Sequence, residues 1–151
     1  MIQDEILKEQ LLFEDLSDIE INRIKALFTK IIFKKGEGIF REGDETRGIY
    51  LIVSGKVEIF KLTVDGWKQT LSILGKGGFF GELSIIEDRN HEANATALED
   101  SELLLFSKED FKRLETSDLE LAVKILKKLV IVLSKNLRKM NEVFLKTLVS
   151  Y

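Results

Sequence analysis

The chain contains no cysteine, no proline, one histidine (His91) and one tryptophan among its 151 residues. Without cysteine there is no disulfide framework and no thiolate metal site, and with one histidine the usual paired-histidine zinc sets are excluded as well. Without proline, no helix is forced to break. Long apolar runs are also missing. The longest in the C-terminal segment, Leu129 to Leu133, falls far short of the roughly 20 residues that span a bilayer. The N-terminus, Met1-Ile2-Gln3-Asp4-Glu5, lacks the basic start of a secretory signal. These absences point to a cytoplasmic chain without membrane insertion. No Ser/His/Asp set and no motif-placed pair of acids is present, so a non-enzymatic role is expected, with no cofactor required.

What is present is ordinary for a globular protein: 44% hydrophobic and 32% charged residues, in a length that buries roughly 70% of its unfolded surface as one domain. The charge is unevenly placed. Residues 119–151 hold seven Lys or Arg and two Asp or Glu, a net of +5, whereas residues 1–118 carry a net of −8. Basic charge on one terminal helix reads as the outer face of a dimer helix, and no nucleic-acid partner is expected.

Three regions follow from the change of period along the chain: N-terminal helices over 1–30, a β-barrel over 31–107, and C-terminal helices over 108–151. Ile2, Ile6, Leu7, Leu11 and Leu12 have helical spacing, and Ser17-Asp18-Ile19-Glu20 is a capping box opening a second helix. From Ile31 short runs rich in Ile, Val, Phe and Tyr alternate with turns at Gly36-Glu37-Gly38, Gly43-Asp44, Ser54-Gly55-Lys56, Asp65-Gly66 and Gly75 to Gly78. Turns every 8–12 residues or so favour an antiparallel jelly roll or sandwich over a parallel sheet. Strands are expected near Ala93–Leu98 and Glu102–Phe106. Ser107-Lys108-Glu109-Asp110 then opens a short helix facing Phe111 and Leu114 inward.

Ser117-Asp118-Leu119-Glu120 reads as another capping box, starting one long helix that reaches about Val149. Val123, Val130, Leu137 and Phe144 recur every seven residues in it. Leu126, Leu133 and Met140 do so three positions later. Valine at a and leucine at d favours a parallel two-stranded coiled coil, so these seven residues are the expected homodimer interface. A second stripe of Leu119, Ala122, Ile125, Leu129 and Val132 is expected to pack on the barrel.

The segment Gly75-Lys76-Gly77-Gly78-Phe79-Phe80-Gly81-Glu82-Leu83-Ser84-Ile85-Ile86 resembles the phosphate-binding cassette of the cyclic-nucleotide-binding domain family, as found in catabolite activator proteins and protein kinase A regulatory subunits. Two further segments support the resemblance. Phe33 to Asp44 is similar to the family's first hairpin, and Gly48 to Val57 to its next strand pair. The likeness runs from about Leu16 to the end of the chain. It implies an α+β, mainly β fold: a jelly roll (double-stranded β-helix) with N-terminal helices, a short cassette helix over Leu83 to Glu87, and a long C-terminal dimerisation helix.

The resemblance also implies a ligand site. Gly81 would let backbone amides approach a cyclic phosphate, Glu82 would accept from the ribose 2′-hydroxyl, and Leu83 and Ser84 would continue the cradle. The family follows with an arginine and small residues, whereas this chain reads Arg89-Asn90-His91-Glu92-Ala93. The commonest family spacing puts His91 in the arginine's place and Glu92 in that of a small residue. Histidine is mostly neutral at pH 7 and offers a single donor where arginine offers a charged fork. Losing such a contact costs on the order of 2–5 kcal/mol. Arg89, two residues upstream, is the alternative cation. A metal site built from Asp88, His91 and Glu92 has no second histidine to support it. Family members also place polar side chains of the long helix over the purine, a part that falls to Ser134 and Asn136 here.

Two functions are compatible with this reading. One is a signalling module that senses cyclic AMP, cyclic GMP or a related phosphorylated ligand and relays it through the dimer helix. The other is a degenerate domain without nucleotide binding, acting as a homodimeric protein-interaction module. A further protein partner is expected in either case. With Tyr151 as the last residue, no DNA-binding domain is expected after the helix.

Overall fold

The computed structural model describes residues 2–149, and for Leu83 and Ser84 the backbone alone. Two short helices, α1 (Asp4–Lys8) and α2 (Asp18–Ile24), flank a 3₁₀ turn at Leu11–Phe13. Ser17 and Glu20 form the expected reciprocal cap at the start of α2. Eight strands follow among the described residues: β1 (Thr29–Phe33), β2 (Gly38–Phe40), β3 (Gly48–Ser54), β4 (Val57–Leu62), β5 (Lys68–Leu74), β6 (Phe79–Phe80), β7 (Asn94–Ala97) and β8 (Ser101–Ser107). Two helices close the chain, α3 (Lys108–Ser117) and α4 (Leu119–Val149).

Every strand pair is antiparallel. One sheet has the order β1-β8-β3-β6 and the other β2-β7-β4-β5, the face-to-face arrangement expected of a jelly roll. Alternation along the strands divides the core in two. Tyr50 and Ile52 of β3 and Leu103 and Leu105 of β8 point between the sheets, with Val57, Phe80 and Ala95. Ile49, Leu51, Leu104 and Phe106 point the other way, under the helices, against Phe13, Ile24, Phe111, Ile125 and Leu129. The first sheet is therefore covered on both faces, which is why β3 and β8 read as continuous apolar runs and not as alternating ones.

The helical layer is tied down by polar contacts as well as by packing. Gln10 is buried and donates to the carbonyls of Ile6 (3.3 Å) and Ile52 (3.2 Å), and the Leu11 N–H donates to Gly77 O at 2.9 Å. The N-terminal segment thus holds the glycine turn that precedes β6. The first half of α4 is moored to the same segment by Lys124–Glu20 (3.0 Å) and by Lys128, which is buried and pairs with Glu14 and with Asp15 (3.0 Å). Salt bridging to Glu14 holds the Lys128 ammonium above its ordinary pKa.

Three local expectations are corrected: the Ser117 cap, the place of Leu119 and the extent of the cassette helix. Ser117 is the last residue of α3, and Asp118 alone caps α4 by accepting from the Leu121 N–H. With the helix phased by that cap, Leu119 falls on the outer side of the first turn and is exposed, and Leu121 takes its place in the core with Ala122, Ile125 and Leu129. The cassette helix is a single 3₁₀ turn, Glu82–Ile85, starting one residue earlier than expected and ending two residues sooner. Of the seam, Leu126 and Leu133 rest partly on the protomer's own core, while Val123, Val130, Leu137, Met140 and Phe144 are exposed.

Candidate ligand-binding site

A cavity of about 340 Å³ opens between the inner face of the second sheet and the segment after β6, within the size range of small-molecule sites. Phe40 of β2, Ile59 of β4, Ser72 and Leu74 of β5, and Phe79 and Phe80 give it apolar walls with one hydroxyl. Gly81 and Glu82 form one end. Arg89 through Ala93 form the rim, and Asn136 of α4 reaches the mouth.

Gly81 is required by the backbone before any ligand is considered. Its φ is +77°, and a Cβ there would lie 2.9 Å from the carbonyl oxygen of Gly48, so a side chain would be both strained and crowded. The Glu82 side chain, half-buried beside it, has its carboxyl pushed above the usual range by burial, against the pull of its own backbone N–H. Of the side chains expected at this end, those of Leu83 and Ser84 lie outside the described residues.

His91 is the most constrained polar group of the site. Its N–H donates to Asp44 O at 2.9 Å, and its carbonyl accepts from the Gly43 N–H at 2.8 Å. Its ring lies flat on Phe40, with centroids 3.5 Å apart and planes within 3°. The residue is 9% exposed, and its Nε2 is buried without a hydrogen-bond partner. Burial pushes the imidazole below its ordinary pKa, while the nearby Asp44 charge pulls it back up. Cε1 sits 3.8 Å from the position a Gly81 Cβ would occupy, so the two ends of the site meet there.

Arg89 is exposed and engaged on both sides, with Glu87 (3.2 Å) and with Glu92. Its loop is fixed where Thr46 Oγ1 donates to Arg89 O (3.0 Å) and where Lys108 pairs with Asp88 (3.2 Å). His91 is buried and Glu92 exposed, at the bend that precedes β7. The Ser134 hydroxyl accepts from Arg138 on the helix surface and does not line the cavity, whereas Asn136 does. Among the described residues no three His, Cys, Asp or Glu side chains are grouped to hold a metal ion.

Sequence reasoning missed the apolar walls. Alternation in β4 carried the signal for Ile59, whereas in β5 the apolar Leu71 and Ile73 are exposed and Ser72 and Leu74 line the cavity, so the pattern there gave no such signal. Nothing local marked Thr46 or Asn90.

Two antiparallel sheets with a glycine-acid turn at the end of a cavity of small-molecule size define a jelly-roll domain with one candidate ligand site. The family model for the cyclic nucleotide-binding domain matches residues 30–118, more than half of the chain, and the chain belongs to that family. A cyclic AMP receptor protein of Thermus thermophilus is 36% identical over 105 residues, covering 70% of this chain and 49% of the relative. A cAMP-dependent protein kinase regulatory subunit of Candida albicans is 29% identical over 114 residues, covering 76% of this chain and 24% of the relative. This chain thus spans about half the length of the first and a quarter of the second; the first is by name a receptor protein and the second a regulatory subunit. The fold is shared with a crystal structure of a cyclic nucleotide-binding domain from Methylobacillus flagellatus, at a TM-score of 0.86 and 21% identity over 95% of this chain and 85% of that one. No helix among the described residues is long and apolar enough to cross a membrane.

Proposed function

We propose that this chain is a sensing module that takes a cyclic nucleotide, or a related phosphorylated ligand, into the cavity beside Gly81 and relays its presence through α4 in a homodimer. The observation that carries the reading is the open cavity itself, which has the Gly81-Glu82 turn at one end and Asn136 of the long helix at its mouth. A ligand there touches both the barrel and α4, so its binding energy is available to bias the helix position. The dimer rests on the exposed Val123, Val130, Leu137, Met140 and Phe144, which a coiled-coil partner would cover. The role is one of binding without catalysis.

A second reading is supported by one observation: Arg89, the full cation at the rim, is already paired with Glu87 and Glu92. In a domain that has lost its ligand these carboxylates occupy the cation, and the module serves only as a dimeric protein-interaction surface. Thermal unfolding of extensively dialysed protein with millimolar cyclic AMP or cyclic GMP separates the two. Ligand at a hundred times its dissociation constant adds about 2.7 kcal/mol, a rise of several degrees. No rise with either nucleotide favours the interaction module.

A further inference from the structure

We infer that the outer side of the far half of α4 is a docking stripe for an acidic amphipathic helix of a partner protein. Every described residue from Lys135 to Val149 is exposed, and the apolar ones among them are too widely spread round the helix for one seam to cover. With Val130, Leu137 and Phe144 at a and Leu133 and Met140 at d, a two-stranded seam leaves the b and f positions bare and covers e and g only at their edges. Ile131 (46% exposed) and Leu145 (58%) stand at b, Leu148 (56%) at e and Val149 (82%) at f. These three positions are adjacent round the helix, so the four side chains form one stripe, about 27 Å long. An apolar helix side of this extent is normally buried against something.

Charge selects the occupant. Residues 130–149 hold four basic side chains, Lys135, Arg138, Lys139 and Lys146, and one acid, Glu142, a net of +3. At the base of the helix Lys124 and Lys128 are paired with acids of the N-terminal segment. Lys135 and Arg138 instead lie on the stripe itself, at f and b between Ile131 and Leu145, where Arg138 donates to the Ser134 hydroxyl of its own helix (3.0 Å). A helix whose apolar stripe is flanked by carboxylates matches both features: its leucines cover Leu145, Leu148 and Val149, and its acids face Lys135 and Arg138. A membrane-lying helix separates a basic face from an apolar one, whereas here both kinds of residue share one side. Among the described residues this chain offers no such helix to a second copy. α1 and α2 are five and seven residues long, and α3 carries Lys108, Lys112 and Arg113 against Glu109, Asp110 and Glu115, a net of zero. The stripe lies at the end of the helix that the sensing reading makes the relay, so the inference rests on that reading for its purpose and on the stripe alone for its binding.

The probe is a fluorescein-labelled peptide of about three heptads, with leucine at a and d and glutamate at e and g. Its anisotropy is followed as the full chain is added, beside a scrambled peptide of the same composition. Binding should saturate at one peptide per chain and weaken as salt is raised, with the scrambled peptide inert. Leu145→Gln with Leu148→Gln should weaken it by about tenfold or more, and Lys135→Glu with Arg138→Glu should do the same. Both variants change exposed residues and should keep the parent's sedimentation and urea unfolding. Leu137→Glu, directed at the seam, should hold the peptide at the parental affinity per chain. Equal binding of the scrambled peptide, no binding of either, or binding indifferent to the two glutamines overturns the inference. So does loss of binding in Leu137→Glu alone, because the peptide would then have replaced the second copy in the seam. Two further outcomes also overturn it: association of the parent beyond a dimer that the two glutamines abolish, which gives the stripe to further copies, and binding to phosphatidylserine vesicles but not to the peptide, which gives it to a lipid surface. Cyclic nucleotide binding is read separately by the thermal-unfolding test, so either result can fail without the other.

Discussion

The substitution Leu137→Glu tests the proposed dimer where the protomer itself is least disturbed. Val130, Leu137, Met140 and Phe144 are 61%, 57%, 68% and 63% exposed, and Leu137 lies outside both cores. Burying what remains of each side chain against a partner is worth about 1–2 kcal/mol, or roughly 8–16 kcal/mol over both copies. Association costs roughly 4–15 kcal/mol in lost freedom, so these four positions reach the roughly 8 kcal/mol of a micromolar dimer only when that cost falls near the low end of its range. Leu137→Glu removes two of these contributions and sets two carboxylates against each other across the seam. The total is about 3–6 kcal/mol, a hundredfold or greater weakening. Sedimentation velocity over a concentration series should show the parent chain as a dimer at about 50 μM and the variant as a monomer. Urea unfolding of the two at high dilution should coincide. A parent chain that is monomeric at that concentration, or a variant that associates equally well, refutes the reasoning.

Gly81→Ala should cost about 1–3 kcal/mol of stability from its positive φ and from the Gly48 carbonyl, read as a lowered Tm, and should abolish nucleotide binding. Lys128→Ala strips the mooring of α4 and leaves Glu14 and Asp15 unpaired. About 1–2 kcal/mol should be lost in urea unfolding, below the cost of breaking a fully buried pair because the two acids are partly exposed. In the unliganded protein the His91 pKa lies below its ordinary 6.5, so its contribution to stability is full above pH 6.5 and is lost as the pH falls through the folded-state value. A pH series of Tm values should therefore decline on that side, and His91→Gln should flatten the decline. Asn136→Ala should weaken cyclic AMP binding by isothermal titration, while Ser134→Ala should leave it unchanged.

The glycine-bearing turns and the long helix were legible because each is written locally. Ser17 and Glu20 are three residues apart, and the a/d stripe repeats along one helix. The family likeness located Gly81, Glu82 and His91 by spacing alone. What escaped was everything decided by distant chain. Leu119 and Leu121 are both leucines near a helix start, and the Asp118 cap chooses which one is buried. Lys128 sits among lysines along the sequence but is drawn into the core boundary by Glu14 and Asp15, more than a hundred positions away. The Phe40–His91 stack joins a strand residue to a loop residue far along the chain and has no local signature. Leu71 and Ile73 are apolar yet face outward while Ser72 and Leu74 line the cavity, so hydrophobicity alone assigns β5 to the wrong face.

The mooring of α4 at Lys128 has a mechanical side. From that residue to Val149 the helix runs about 31 Å without glycine or proline to bend it. Held at its base, packed on the core as far as Leu133 and exposed beyond Asn136, it has the form of a lever whose fulcrum lies at the junction of barrel and N-terminal segment. Turning its axis by about 10° at the fulcrum carries the far end about 5 Å sideways, roughly the pitch of one helical turn. At the position of Asn136, some 12 Å along the shaft, the same turn amounts to about 2 Å. A displacement of about 2 Å at the cavity mouth thus corresponds, in a rigid helix, to a sideways shift of about one helical turn at the tip.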